Sequence, residues 1–148
     1  MLIPEDYVPD LDVRLGLYRR LGGLDSKVEL EGFAAELIDR FGPLPKEVNT
    51  LLLIVRIKAM CKRAGIAKLD GGPKGATIQF HEDRFASPEG LVDFIKAQDG
   101  LAKLKDNKLV VRRDWSSEAD KIKGAFAIAR DLAEKAKGKS AKAKAAAE

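Results

Sequence analysis

The sequence predicts an α+β domain in which helices pack against a small, mostly antiparallel sheet of about three strands. Three observations predict it. Apolar residues recur at spacings of three and four in segments that start near Asp12, Ser26, Pro45, Pro88 and Ser117, the signature of helices that bury one face. Between Ile66 and Phe80 the period changes to two, as in half-buried strands. A chain of 148 residues with 45% hydrophobic content has enough apolar material for one ordinary core. The domain is expected over residues 12–134, between an extended arm at 1–11 and a disordered tail at 135–148.

The opening "MLIPEDYVPDLDVR" interleaves apolar residues with Pro4 and Pro9, which suits an extended, turn-rich arm lying against something. From Leu11 the pattern turns helical, with Leu11, Leu15 and Tyr18 on one side and Arg14, Arg19 and Arg20 mostly on others; Gly22-Gly23 stops it. An arm that leads straight into a short helix reads as a piece of something longer.

Ser26 followed by Glu29 forms a capping box that opens the second helix. Its buried face is expected from Leu30, Phe33, Ala34, Leu37, Ile38 and Phe41. Gly42 falls just past its end, and Pro43 forbids continuation. Pro45 suits the first turn of a third helix, with Val48, Leu51, Leu52, Val55 and Ala59 on one face and Gly65 at its close. Leu53, Ile54, Ile57 and Met60 widen that stripe, so this helix is expected to be central and covered on more than one side.

Alternation through Ile66 to Leu69 and Ala76 to Phe80, around "DGGPKG", predicts a hairpin. Ser87 and Pro88 open a short helix with Leu91, Phe94 and Ile95 as its apolar face. Asp106-Asn107 suggests a turn into a third strand at Leu109 to Arg112. The last helix starts near Ser116 or Ser117, where Ser117 and Asp120 form a weaker box, and buries Ile122, Ala125, Phe126, Ala129, Leu132 and Ala133. From Lys135 the chain holds no large apolar residue to fold around, and disorder is expected.

The net charge of +4 is unevenly placed. Five lysines against Glu134 and Glu148 put +3 in the last fifteen residues, so the folded part is nearly neutral and shows no strong footprint for a phosphate backbone. The lone Cys61 permits no intramolecular disulfide and fits a reducing cytoplasm. No apolar run approaches a membrane span, and Glu5 and Asp6 fall where a secretory leader would need basic and apolar residues.

Catalytic chemistry is not expected. Gly71-Gly72-Pro73-Lys74-Gly75 lacks the lysine–hydroxyl ending and following helix of a phosphate loop, so it reads as a hairpin turn. His81 near Gln79, Glu82 and Asp83 reads as a solvent-facing residue at a strand end rather than a metal ligand. Cys61 reads as a small core residue. Arg112, Arg113 and Trp115 put two guanidinium groups beside an aromatic, which suits a nucleic-acid contact; the plainer reading is a tryptophan that anchors the entry to the last helix. Glu29, Glu36, Asp39 and Arg40 lie off the buried stripe of the second helix. They are either an ordinary solvated face or an acidic edge that docks on a basic partner.

"IPEDYVPD" at Ile3 to Asp10, "RLGLYRRL" at Arg14 to Leu21, "ELIDRFGPLP" at Glu36 to Pro45 and "KRAGI" at Lys62 to Ile66 together resemble the C-terminal domain of the bacterial transcription-repair coupling factors, from about Leu2 to Asp131. The resemblance implies a parent that is an ATP-dependent DNA translocase, with ATP and Mg bound by other domains and none in this fragment. Such a parent binds stalled RNA polymerase and duplex DNA and serves nucleotide excision repair. The resemblance also implies that this domain docks on the parent's N-terminal UvrB-like module and masks the surface used by UvrA. In that family the acids of the "ELxDR" helix belong to the masking contact, which corresponds here to Glu36 and Asp39 with Arg40 adjacent. The alternative is a DNA- or RNA polymerase-binding accessory module that uses Arg112, Arg113, Trp115 and the lysine-rich tail.

Overall fold

The structure, a computed structural model, describes residues 3–147, with side-chain surroundings given through residue 137. The chain divides into two compact units, Met1–Ala59 and Met60–Glu148.

The first unit holds α1 (Leu11–Gly22), α2 (Lys27–Phe41) and the greater part of α3 (Lys46–Ala64). Asp10 caps α1 by accepting from the Val13 N–H at 3.0 Å. Ser26 caps α2: its Oγ accepts from the Glu29 N–H at 3.1 Å and donates to Glu29 Oε1 at 3.0 Å, the expected box with the glutamate closing onto the serine hydroxyl. Gly42 ends α2 at φ 95°, a left-handed backbone that glycine adopts without a Cβ penalty, and its N–H donates to the Ile38 carbonyl at 2.9 Å.

The core of this unit is Ile3, Val8, Leu17, Leu21, Leu30, Phe33, Leu37 and Val48. The arm is therefore part of the core. It is bent by a turn in which the Tyr7 and Val8 N–H groups donate to the Pro4 carbonyl, and Arg14 Nη1 holds the Val8 carbonyl at 2.6 Å. On α1 the expected side is corrected: Leu17 and Leu21 are buried, with Val13 and Tyr18 partly so, whereas Leu11 and Leu15 are exposed. With Pro4 and the turn seating Ile3 and Val8 beside α1, the helix rotates its Leu17–Leu21 edge inward. Ile38, expected inside, is 48% exposed at the margin of the α2 stripe. On α3, Leu51, Leu52, Leu53, Ile54, Val55 and Ile57 are all partly buried, and Met60 is buried.

The second unit holds the end of α3, then β1 (Ile66–Gly72), β2 (Gly75–Phe80), a 3-10 turn at His81–Asp83, α4 (Pro88–Ala97), β3 (Ala102–Lys105), β4 (Lys108–Arg112) and α5 (Glu118–Ala147). The sheet is antiparallel and four-stranded, in the order β1-β2-β4-β3, one strand more than expected. The additional strand is β3, which has only four residues and too little alternation to be read from sequence. It is joined to β4 by Asp106 and Asn107, both at positive φ (52° and 61°), the two-residue reversal whose twist matches antiparallel strands.

One sheet face, bearing Ala76, Ile78, Phe80, Leu109 and Val111, packs against Phe94 of α4 and Ile128, Leu132 and Ala136 of α5. Ser87 caps α4 by accepting from the Gly90 N–H at 3.0 Å, and Pro88 opens it, as the sequence predicts. α5 continues as a helix through the stretch predicted to be disordered from residue 135. Alanine and lysine are strong helix formers, and Ala136 is buried in the core, which the absence of large apolar residues concealed. The side chains of residues 138–148 lie outside the described residues.

Candidate docking surface

α2 turns its Leu30–Phe33–Leu37 stripe into the core of the first unit, which leaves Glu36, Asp39 and Arg40 on its outer side. Glu36 is the centre of a network. Arg20, near the end of α1, donates Nη1 to Glu36 Oε2 at 2.6 Å and Nη2 to Oε1 at 2.8 Å, a bidentate fork. Arg40, one turn along α2, adds Nη1 to the same Oε2 at 3.1 Å. The two guanidinium groups rest on aromatic faces: Arg20 lies 5.0 Å from the Phe33 ring centroid and Arg40 4.8 Å from that of Phe41. The Arg20 hydrogen bond, followed by that of Arg40, lowers the Glu36 carboxyl to about 2, and the same contact raises the Arg20 guanidinium.

Asp39 differs in kind. It is exposed and forms no ion pair or hydrogen bond among the described residues. Helical spacing sets it within one turn of Glu36, so a free carboxylate stands beside a neutralised and immobilised one. Tyr7 stiffens the end of the same helix. Its hydroxyl donates to the Gly42 carbonyl at 2.8 Å and lies 3.2 Å from that of Leu37, its ring meets Phe41 at 5.8 Å between centroids, and burial raises its phenol.

The sequence reading places Glu36, Asp39 and Arg40 together, and the structure does bring them onto one face. It missed Arg20 and Tyr7, which lie sixteen and about thirty residues from their partners, and no local signal marks either.

Of Arg112, Arg113 and Trp115, considered for a nucleic-acid contact, the structure leaves the tryptophan buried and the arginines differently engaged. Trp115 is 8% exposed and belongs to the core; an added Cβ at Gly124 of α5 would lie 2.3 Å from its ring, so glycine is required there for the indole to seat. The ring fits a notch that only a side-chain-free helix position leaves open, as suits a residue that anchors the entry to the last helix. Arg113 is engaged with the Gln98 side chain at 2.5 Å and the Arg112 carbonyl at 2.9 Å. Arg112 alone remains exposed. His81 is exposed at the end of β2, and Cys61 packs against the core of the second unit, where burial raises its thiol. Among the described residues no group of acidic, histidine and cysteine side chains could hold a metal ion, and no helix is long and apolar enough to cross a membrane.

The model of one protein family, the TRCF domain, matches residues 1–91, which is well over half of the chain and includes the whole of α2 and its network. The chain belongs to the TRCF domain family. As a TRCF domain it is similar to the transcription-repair-coupling factor of Rickettsia conorii, with 44% identity over 111 residues, 74% of this chain and 10% of that protein. It is similar to that of Escherichia coli with 35% identity over 136 residues, 91% of this chain and 12% of that protein. The chain thus spans about a tenth of the length of the curated relatives it matches. The crystal structure of a C-terminal domain of transcription-repair coupling factor has the same fold: TM-score 0.75, 24% identity, 93% of this chain and 89% of that one. The α+β class predicted from the sequence is therefore shared with that domain.

Proposed function

We propose that this TRCF domain is a non-catalytic autoinhibitory module of a transcription-repair coupling ATPase. It docks through the outer face of α2 on the parent's N-terminal UvrB-like module and so masks the surface that UvrA uses. The observation that carries the reading is the state of the two acids. Glu36, gripped by Arg20 and Arg40, has its own charge fully answered and is held in place, and Asp39 stands beside it without an ion pair among the described residues. A free carboxylate on a preorganised helix face suits a basic partner group, since little side-chain freedom is lost when the pair forms. Arg40, held over Phe41, offers the same partner a fixed cation.

In this reading the two acids have unequal roles. Asp39 is the recognition charge, and Glu36 is the residue that holds the surface in shape. RNA polymerase and ATP belong in this reading to the parent and its other domains.

Calorimetric titration of the chain against the separately produced N-terminal module of the parent tests it. Asp39→Ala is expected to weaken binding by about tenfold and Asp39→Lys by more, since a like charge then faces the basic partner. Neither change should lower Tm, because Asp39 has no partner among the described residues. Unchanged module affinity in both variants would sink the proposal.

A further inference from the structure

The α4–α5 side of the sheet is its buried face; on the other, Lys103, Lys105, Lys108 and Arg112 are exposed. Because Ala76, Ile78, Leu109 and Val111 point inward, the alternating residues of β2 and β4 point outward, and the register sets what lies beside them. Lys103 pairs with Val110, Val110 with Thr77, and Gly75 with Arg112, while Lys105 stands directly opposite Lys108. Like charges directly opposite on one face are unfavourable in isolation. None of Lys74, Lys103, Lys105, Lys108 and Arg112 forms an ion pair among the described residues. An open groove of about 710 Å³ runs along this face, lined by Lys74, Lys103, Lys105 and Arg112. Among the described residues the one acid lining it, Asp70, is 3.6 Å from Lys68. Asp106 at the hairpin tip and Asp114 past β4 are not paired with these cations among the described residues.

We infer that this open sheet face is a binding surface for the phosphate backbone of a duplex nucleic acid. Three features choose that occupant. The cations repeat at the spacing of alternate strand residues, which suits a ladder of regularly placed negative charges. Lysines outnumber the single Arg112, and a lysine acts as a point charge on phosphate, whereas a carboxylate-bearing partner favours the planar arginine fork. The middle of the face is Thr77 and Val110, with no aromatic ring on which unpaired bases could stack, so a double helix that hides its bases fits better than a single strand. Binding of this kind is independent of base sequence and opposed by salt. It uses none of the α2 residues.

Fluorescence anisotropy of a labelled duplex of about 20 base pairs, titrated with the full chain between about 50 and 200 mM salt, tests the inference. The triple variant K103Q/K105Q/K108Q is expected to bind at least about tenfold more weakly at the lower salt, with a log–log salt slope shallower by roughly 2–3. K103R/K105R/K108R should bind as the parent chain does, and thermal melts should show both triples folded. A tail variant, K139Q/K142Q/K144Q, should stay within about threefold of the parent chain. Parent-like binding by the K-to-Q triple would overturn the inference, as would equal loss in the tail variant. So would competition by oligo-dT as strong as that by the duplex, or by polyglutamate. Asp39→Lys should leave duplex binding unchanged, so failure here and failure of the docking proposal are separable.

Discussion

Arg20 grips both carboxylate oxygens of Glu36, at 2.6 and 2.8 Å, and so ties the end of α1 to the middle of α2 across sixteen residues of sequence. The clamp gives Glu36 a structural duty that Asp39, its neighbour on the same face, does not share. It also makes the surface responsive to acid.

The carboxyl of Glu36 is lowered to about 2 from an ordinary 4.5. The folded chain therefore binds fewer protons here than the unfolded chain does, and the stability from this group is fully present above pH about 4.5 and lost as pH falls toward about 2. Glu36→Gln should have a lower Tm than the parent chain at neutral pH, and the gap should close over that interval. With Glu36 about a third exposed (35%), the gap should be small and should shrink in salt. Thermal melts of both chains from pH 6 down to about 2 read the effect. A gap that does not change with pH would mean that the fork is not what Glu36 contributes.

Tyr7→Phe removes the hydroxyl that donates to the Gly42 carbonyl but keeps the ring against Phe41. A loss of about 0.5–1.5 kcal/mol in urea unfolding is expected, the usual worth of one such hydrogen bond. The cost falls on the α2 terminus, so hydrogen exchange at the Gly42 amide, which donates to Ile38, should quicken more than exchange at mid-helix amides such as that of Leu37. Equal acceleration throughout α2 would argue against this local role.

Gly124→Ala should destabilise the second unit even though alanine is the better helix former by about 1 kcal/mol. The new Cβ would meet the Trp115 ring at 2.3 Å, and overpacking of this kind costs about 1–3 kcal/mol. Trp115 is the single tryptophan of the chain, so its fluorescence reports the change directly. A red-shifted emission with a lower Tm is expected. Parent-like emission and stability would show that the indole can yield.

The helix ends were legible because they are local. Ser26 with Glu29, Ser87 with Gly90, and Gly42 before Pro43 satisfy or terminate backbone groups within a few residues, so residue type and spacing state the outcome. The membership of α2's outer face was equally legible, since helical periodicity alone puts Glu36, Asp39 and Arg40 off the Leu30–Phe33–Leu37 stripe.

Which edge of α1 is buried was not legible. Leu11–Leu15 and Leu17–Leu21 are both plausible apolar pairs, and the bent arm carrying Ile3 and Val8 chose between them. By itself the sequence determined the family, the α+β class and the local punctuation of the helices. Tertiary structure alone decided that Glu36 is clamped while Asp39 is free, that Trp115 is sealed beside Gly124, and that lysines at 74, 103, 105 and 108 share one sheet face with Arg112. The physical reason is the reach of the interactions. Caps and periodicity act over one turn of chain, whereas ion pairs, ring packing and strand register join residues whose separation in sequence says nothing about their distance in space.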